Sequence, residues 1–308
     1  MSVDEEKIAD KKEATSLSVC YSITTPVNLV SEIASGSFAT VYKATYQGVT
    51  IAVKRLHELT SLSGSSIEDA IETFHDEIDI LRKLQPLQLR CAIKYYGHRE
   101  DVTHRDIFME YVAGDDLRES MSDNVSPLRR AEILEKVMSA GVELAYHRVV
   151  HNDLKPHNIM LTDDDEIKIV DWGFAIVLGK ETYTTLSCTV GSVNYMAPEM
   201  AVRNKSSLES DLYSLGGVIF ALTFGKAPFW YLNNPFAILN ALAANQHSTF
   251  PAKNPEYTRI IESCWQKETA RLTVHELYKQ IGLLHARLQH GEPSASHAEV
   301  IKVSNKLS

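Results

Sequence analysis

The sequence is poor in cysteine, in positive charge and in long apolar runs. Its four cysteines, Cys20, Cys91, Cys188 and Cys264, lie far apart in 308 residues. No CxxC pair or Cys/His cluster has zinc spacing, which speaks against a zinc module. Isolated reduced thiols in a cytosolic protein are expected. Thirty-one basic residues face 40 acidic ones, for a net charge of −9. General nucleic-acid binding needs basic patches, so it is not expected. The longest apolar run, LYSLGGVIFALTFG from Leu212 to Gly225, is shorter than the roughly 20 residues of a membrane span. A helix apolar on all sides is then a buried core helix. The opening MSVDEEKIADKK has no apolar centre of the signal-peptide kind. A cytoplasmic place is therefore expected, in its own cell or in one into which the protein is delivered. Without a secretion signal, the glycosylation patterns at Asn124 and Asn204 read as chance. No internal repeat is present.

What remains is a chain 44% hydrophobic and 23% charged, enough for one large domain or two small ones with a sizeable core. Residues 1–26 are charged, then Ser/Thr-rich, and end at Pro26, as an extension outside the core would. From Val27 the runs VNLVSEI, TVYKATY and TIAVKRL are rich in β-branched and aromatic residues and read as strands, with Gly36 and the pair Gln47–Gly48 at turns. SLSGSS reads as a loop. It leads to a helix whose apolar residues Ile67, Ile71, Phe74, Ile78 and Leu81 recur at helical spacing. AIKYYGH and RDIFMEYV are two further strands. After Gly114 the character turns helical. PLRRAEILEKVMSAGVELAYH has Pro127 in its first turn. NIMLT and EIKIVDW are short strands joined by the acidic triplet DDD, which reads as a tight turn in preference to a metal site. Three further helices follow the apolar one, and the last twenty or so residues form a loose tail.

The chemistry concentrates in a few places. IASGSFATVYKA puts a small-residue turn between two strands, where backbone N–H groups can approach phosphates. Lys54 sits among apolar neighbours in IAVKRL. A buried ammonium needs anions, and Glu77 on the following helix, with ligand phosphates, would supply them. The alternative is an edge-strand lysine pointing to water. In HNDLKPHNIML, Asp153 precedes Asn158 by five residues, and Asp171 follows in DWG. One carboxylate as base, with a second carboxylate and an amide as oxygen ligands, suits magnesium held on a nucleotide.

The order of these motifs, ending in GSVNYMAPE, resembles a eukaryotic-type protein kinase of the serine/threonine or tyrosine-kinase-like branch, from about Val27 to about Leu288. The resemblance implies an α+β, bilobal fold: a small antiparallel-sheet N-lobe with one helix over residues 27–109, a hinge at 110–116, a mainly helical C-lobe over 117–288, and a tail from 289 to 308. It implies ATP and Mg2+ as cofactors and a protein substrate with a serine or threonine acceptor. Oligomeric state is left open. Lys54 would meet the α/β-phosphates and Glu77 would orient it. Asp153 would take the acceptor's proton, beside Lys155, and Ser192 would bridge these two. Asn158 and Asp171 would hold magnesium. Ile33, Gly36, Val41, Ala52, Met109, Glu110, Val112, Asp116 and Met160 would surround the nucleotide. Lys155, in Asp-x-Lys, points to serine/threonine acceptors. Glu199 and Arg271 resemble the family's buried ion pair. Asp211 resembles the residue that holds the catalytic loop, with an N-cap role as the alternative.

The chain departs from the family's pattern at several positions. Ala34 and Ala39 stand where two of three loop glycines are usual, and either slow nucleotide handling or fit without strain. Trp172 replaces phenylalanine and should pack on His151, Leu81 and Tyr95. Asn152 replaces the arginine before the catalytic aspartate. An uncharged amide cannot pair with a phosphate, so activity without phosphorylation of the activation segment is expected. Thr182, Thr184, Thr185, Ser187 and Thr189 then read as ordinary loop hydroxyls. Other functions would use the same motifs: a pseudokinase scaffold, a small-molecule phosphotransferase, or transfer of another nucleotide moiety.

Overall fold

The computed structural model describes residues 27–36, 38–57, 64–101, 104–120 and 125–291. The extension 1–26 with Cys20, the side chain of Ile67, the pattern at Asn124 and residues 292–308 of the tail lie outside the described residues.

Strands β1 (Asn28–Ser35), β2 (Ala39–Tyr46), β3 (Val49–Leu56), β4 (Tyr95–Glu100) and β5 (Arg105–Glu110) form one antiparallel sheet in the order β1-β2-β3-β5-β4. The β2–β3 turn is Gln47–Gly48, both at positive φ, 50° and 82°. Two left-handed residues match the twist of the flanking strands, which is why a glycine serves there. Period-2 alternation divides β3 between two cores. Ile51 and Val53 join a small cluster with Ala44, Tyr46 and Phe108, and Ala52 joins the main core on the opposite face.

Helix α1 spans Gly64–Leu84. It starts inside the stretch read as a loop, because first-turn N–H groups have no intrahelical partner and glycine and serine cost little there. Its buried face carries Ala70, Phe74, Ile78 and Leu81, with Glu77 among them.

Strand β6 (Gly114–Asp116), helix α2 (Leu117–Ser120) and helix α3 (Pro127–Tyr146) lead into the helical half. Ser126 caps α3, accepting a bond from the Arg129 N–H at 3.2 Å. The short strands β7 (Val149–Val150), β8 (Ile159–Thr162), β9 (Ile167–Ile169) and β10 (Ile176–Val177) carry the loop that opens HNDLKPHN. The DDD triplet is the β8–β9 turn: Asp165 takes a φ of 64°, and its carboxylate is held by Arg129 and Lys136. Strand β11 (Tyr183–Thr185) pairs antiparallel with β12 (Lys205–Ser207), which lies between α4 (Pro198–Arg203) and α5 (Leu208–Phe224). Helix α5 is the apolar run, and twelve of its residues are buried. Helices α6 (Pro235–Ala243), α7 (Pro255–Cys264) and α8 (Val274–His290) complete the larger half. Helix α8 runs two residues into the stretch read as tail and stops at Gly291, whose φ of 68° makes a left-handed cap. The architecture is α+β and bilobal, as expected. Among the described residues, no helix is long and apolar enough to cross a membrane, and Cys91, Cys188 and Cys264 are unpaired.

Candidate active site

Lys54 lies on the face of β3 that Ala52 also uses, turned toward α1 and the helical half. Its Nζ meets Glu77 Oε2 at 2.6 Å and Asp171 Oδ1 at 2.9 Å. Glu77 is buried within the apolar face of α1, and the Lys54 ammonium answers its charge. Burial by itself would lower the Lys54 pKa, but Glu77 and Asp171 together overcome it and hold the ammonium charged. Burial raises Glu77 against the pull of Lys54. Lys54 holds Asp171 below the usual carboxylate range. Asp171 sits at φ 63°, a left-handed position uncommon outside glycine and characteristic of functional turns.

Asp153 is buried, and both its oxygens are engaged. Oδ2 accepts from Lys155 Nζ at 2.7 Å and Asn158 Nδ2 at 3.0 Å; Oδ1 accepts from the Ser192 N–H at 2.7 Å. Lys155 Nζ also donates to Ser192 Oγ at 2.8 Å. Ser192 thus bridges the pair with two groups: its backbone N–H reaches Asp153 and its hydroxyl reaches Lys155. The Asn158 amide nitrogen also donates to the Asp153 carbonyl at 2.9 Å, so its hydrogen bonds to Asp153 use Nδ2 and not Oδ1.

Beneath the loop, Asp211 accepts from the His151 N–H at 2.6 Å and the Asn152 N–H at 2.9 Å. The N-cap of α5 is Ser207, not Asp211, so the bland alternative for Asp211 falls. Burial pushes the Asp211 carboxyl up to about 7, against the two N–H groups that favour its ionised form. His151 is wholly buried. Its Nδ1 accepts from the Asp153 N–H at 3.2 Å and its Nε2 bonds to the Val170 carbonyl at 3.2 Å, an arrangement that requires the neutral Nε2–H tautomer. Its ring lies 4.9 Å from that of Trp172, which is itself buried in the main core with Leu81 and Tyr95. Glu199 and Arg271 form a bidentate buried pair, at 2.5 Å and 2.8 Å.

Val41, Ala52, Met109 and Val112 all pack in or against the main core. Asp116 and Met160 are register partners across β6 and β8. Ile33 is exposed on β1, and the Gly36 N–H donates to the Ala39 carbonyl at 2.9 Å. Two of these residues also hold local structure. The Glu110 carboxylate accepts from the Lys94 N–H at 3.0 Å and Lys168 Nζ at 3.2 Å, and Asp116 Oδ1 accepts from the Glu119 N–H at 3.0 Å. Ala34, next to a register shift in β1, and Ala39, in β2, both lack positive φ, so their backbone angles are open to alanine.

Among the described residues, no three His, Cys, Asp or Glu side chains group as a metal site. Magnesium commonly takes one or two carboxylates, with phosphate and water oxygens completing its shell. The hard oxygens of Asp171 and Asn158 fit that requirement.

Sequence reasoning passed over two residues: Arg148, which holds the segment between Asp171 and Glu199, and Ser206, which holds the residue before Asp153. Arg148, at φ 57°, donates to the carbonyls of Gly179 at 2.8 Å and Glu181 at 2.6 Å. Ser206 Oγ donates to Asn152 Oδ1 at 2.7 Å. Neither stands in a recognisable motif, and only the folded chain brings their partners near.

Comparison with known proteins agrees with this geometry. The family model described as "Protein kinase domain" matches residues 27–281. The chain is 35% identical over 183 residues to "Serine/threonine-protein kinase PrkC" of Bacillus subtilis, covering 58% of this chain and 28% of that protein. It is 30% identical over 251 residues to "Probable serine/threonine-protein kinase PknB" of Lactococcus lactis, covering 79% and 38%. It is 26% identical over 287 residues to "Dual specificity protein kinase TTK" of the mouse, covering 86% and 32%. It thus spans less than two fifths of the length of each of these relatives. With the family match running through most of the chain and the ionic site assembled around Lys54, Asp153 and Asp171, the chain belongs to the protein kinase family.

Proposed function

We propose that this protein transfers the γ-phosphoryl group of ATP, with magnesium, to serine or threonine hydroxyls of protein substrates, and that it does so without phosphorylation of its activation segment. The observation that carries this reading is the engagement of both Asp153 oxygens by Lys155, Asn158 and the Ser192 N–H. A carboxylate so fixed accepts a proton in one direction only. The acceptor oxygen bonds to the γ-phosphorus, the bond from phosphorus to the ADP oxygen breaks, and the hydroxyl proton passes to Asp153. Such a reaction needs positioning and charge neutralisation more than covalent chemistry. Lys54, held by Glu77, would meet the α/β-phosphates. Lys155 would face the transferred group. Asn158 and Asp171 would hold magnesium, which supplies further neutralisation of the phosphates. The residues named around Ala52 and Met109 would enclose the adenine, with Asp116 near the ribose. The names of the bacterial relatives support a serine/threonine acceptor, as does Lys155.

The neutral side-chain contacts of Asn152, to the Phe174 carbonyl and the Ser206 hydroxyl, support independence from activation-segment phosphate. The absence of positive φ at Ala34 and Ala39 weighs against backbone strain as a reason to prefer a non-catalytic scaffold.

The test uses phosphatase-treated protein with magnesium, labelled ATP and a generic basic protein. Wild type should transfer label to serine and threonine. Asp153→Asn should lower kcat by about 10²–10⁴ while still binding ATP. Replacing Thr182, Thr184, Thr185, Ser187 and Thr189 together by alanine should leave most of the rate. Loss of all transfer in that variant, with folding intact, would overturn the phosphate-independent reading. ATP binding with no transfer by wild type would overturn the catalytic one.

A further inference from the structure

Asn152 touches three parts of the larger lobe at once. Its N–H donates to Asp211 at 2.9 Å, its Nδ2 donates to the Phe174 carbonyl at 2.8 Å, and its Oδ1 accepts from Ser206 Oγ at 2.7 Å. The residue is held at φ 66°, so its backbone is set as firmly as its side chain. Phe174 lies three residues after Asp171, and Asn152 lies immediately before Asp153.

Ser206 is the outer anchor of this relay. It has no solvent exposure. A buried hydroxyl is costly unless hydrogen-bonded, and its bond is to Asn152. Its backbone lies in β12 opposite Thr184 of β11, within the activation segment. The next residue, Ser207, caps α5 in a reciprocal box with Ser210. Ser206 therefore stands where the activation-segment ribbon meets the first turn of the buried helix.

Resting on the kinase reading, we propose that Ser206 is a positioning residue for phosphoryl transfer: through Asn152 it keeps the Asp153 loop and the Asp171–Phe174 turn in register with the β11–β12 ribbon. The two side-chain links of this relay, Ser206 to Asn152 and Asn152 to the Phe174 carbonyl, are hydrogen bonds between uncharged groups. They do within the folded chain what a phosphate paired with a cationic side chain would do by ionic attraction. A relay of this kind sets the geometry of the reacting groups rather than the affinity for nucleotide.

The experiment compares wild type, Ser206→Ala, Asn152→Ala and the double variant as full-length, dephosphorylated chains. Ser206→Ala should lower kcat about five- to tenfold, the size of one lost neutral hydrogen bond expressed as rate. Asn152→Ala, which loses two such bonds, should lower it at least as much, each with KM for ATP within about twofold. The double variant should be no slower than the slower single, because both changes cut one relay. A Ser206→Ala chain with wild-type kcat, or a double variant that loses the product of the two effects, overturns the proposal. Hydrogen exchange reads the relay without catalysis. Ser206→Ala should speed exchange across residues 150–155 and 172–178 and leave residues 274–290 unchanged. Unchanged exchange at the first two stretches overturns the proposal whether or not the wild type transfers phosphate. Absence of transfer by wild type, with faster exchange in the variant, would instead sink the kinase reading and keep the relay. If Ser206→Ala does not fold, Asn152→Ala carries the same exchange measurement.

Discussion

His151 shows how much one side chain can carry. Both its ring nitrogens are committed in the neutral form, one as acceptor from the Asp153 N–H and one bonded to the Val170 carbonyl. A second ring proton would point at an N–H. Burial lowers its pKa below the ordinary 6.5. The unfolded chain therefore binds a proton at this residue at a pH where the folded chain does not. The stability this contributes is present above about 6.5 and is lost as pH falls toward the lower folded value, by about 1.4 kcal/mol per pH unit. Asp211, pushed up to about 7, contributes a slope of opposite sign over this range. The His151 slope is therefore read as the difference between urea titrations of wild type and His151→Gln at pH 7.5, 6.5 and 5.5. An unchanged slope in the variant would assign the acid sensitivity elsewhere.

At the scale of elements, helix α5 and its neighbours depend on two glycines. A Cβ on Gly216 would stand 2.6 Å from Cys264 Cβ and 3.1 Å from the Trp265 indole nitrogen, and one on Gly217 would stand 2.9 Å from the Tyr195 ring. Helix α5 thus lies against α7 at a distance only glycine permits. Gly216→Ala should cost about 1–3 kcal/mol by overpacking, read by urea unfolding. Gly36 gives the contrasting case, because a Cβ there would meet nothing closer than the Ala39 carbonyl at 3.6 Å. Gly36→Ala should leave the unfolding midpoint essentially unchanged, and any effect should fall on KM for ATP. A destabilised Gly36→Ala chain would mean that the loop glycine serves the fold.

At the scale of the molecule, the larger lobe is tied together by charges taken out of water. Arg271, just before α8, reaches Glu199 at the start of α4, and both side chains are almost fully buried. Arg271 also donates to the Glu209 carbonyl at 2.8 Å and lies over the Tyr213 ring. Arg271→Met would leave Glu199 buried and unpaired and should cost roughly 3–5 kcal/mol. Adding Glu199→Leu should recover much of that loss, measured by the same denaturation. If the double variant were no more stable than the single, packing and not charge would be the dominant contribution of the pair.

Much of this could be read along the chain. Strand alternation, the helical spacing of Phe74, Ile78 and Leu81, and the order Lys54, Glu77, Asp153, Asn158, Asp171 were legible because each rests on local periodicity or on motif spacing. The reading of Asp211 held as well, because helix position and loop motif together implied one partner. The start of α1 lies three residues inside the stretch read as loop and the end of α8 two residues inside the stretch read as tail, since terminal turns of a helix are set by caps and not by the apolar stripe. What only the tertiary structure decided is pairing between distant segments: Arg148 with Gly179 and Glu181, Ser206 with Asn152, Glu110 with Lys168. A hydrogen bond needs its two atoms within about 3 Å, and residues separated by 30 to 60 positions acquire that distance only from packing. The sequence alone thus determined which chemical groups this protein has and the elements that carry them. The packing of those elements decided which groups meet, and so which residues besides the motif hold Asp153 in place.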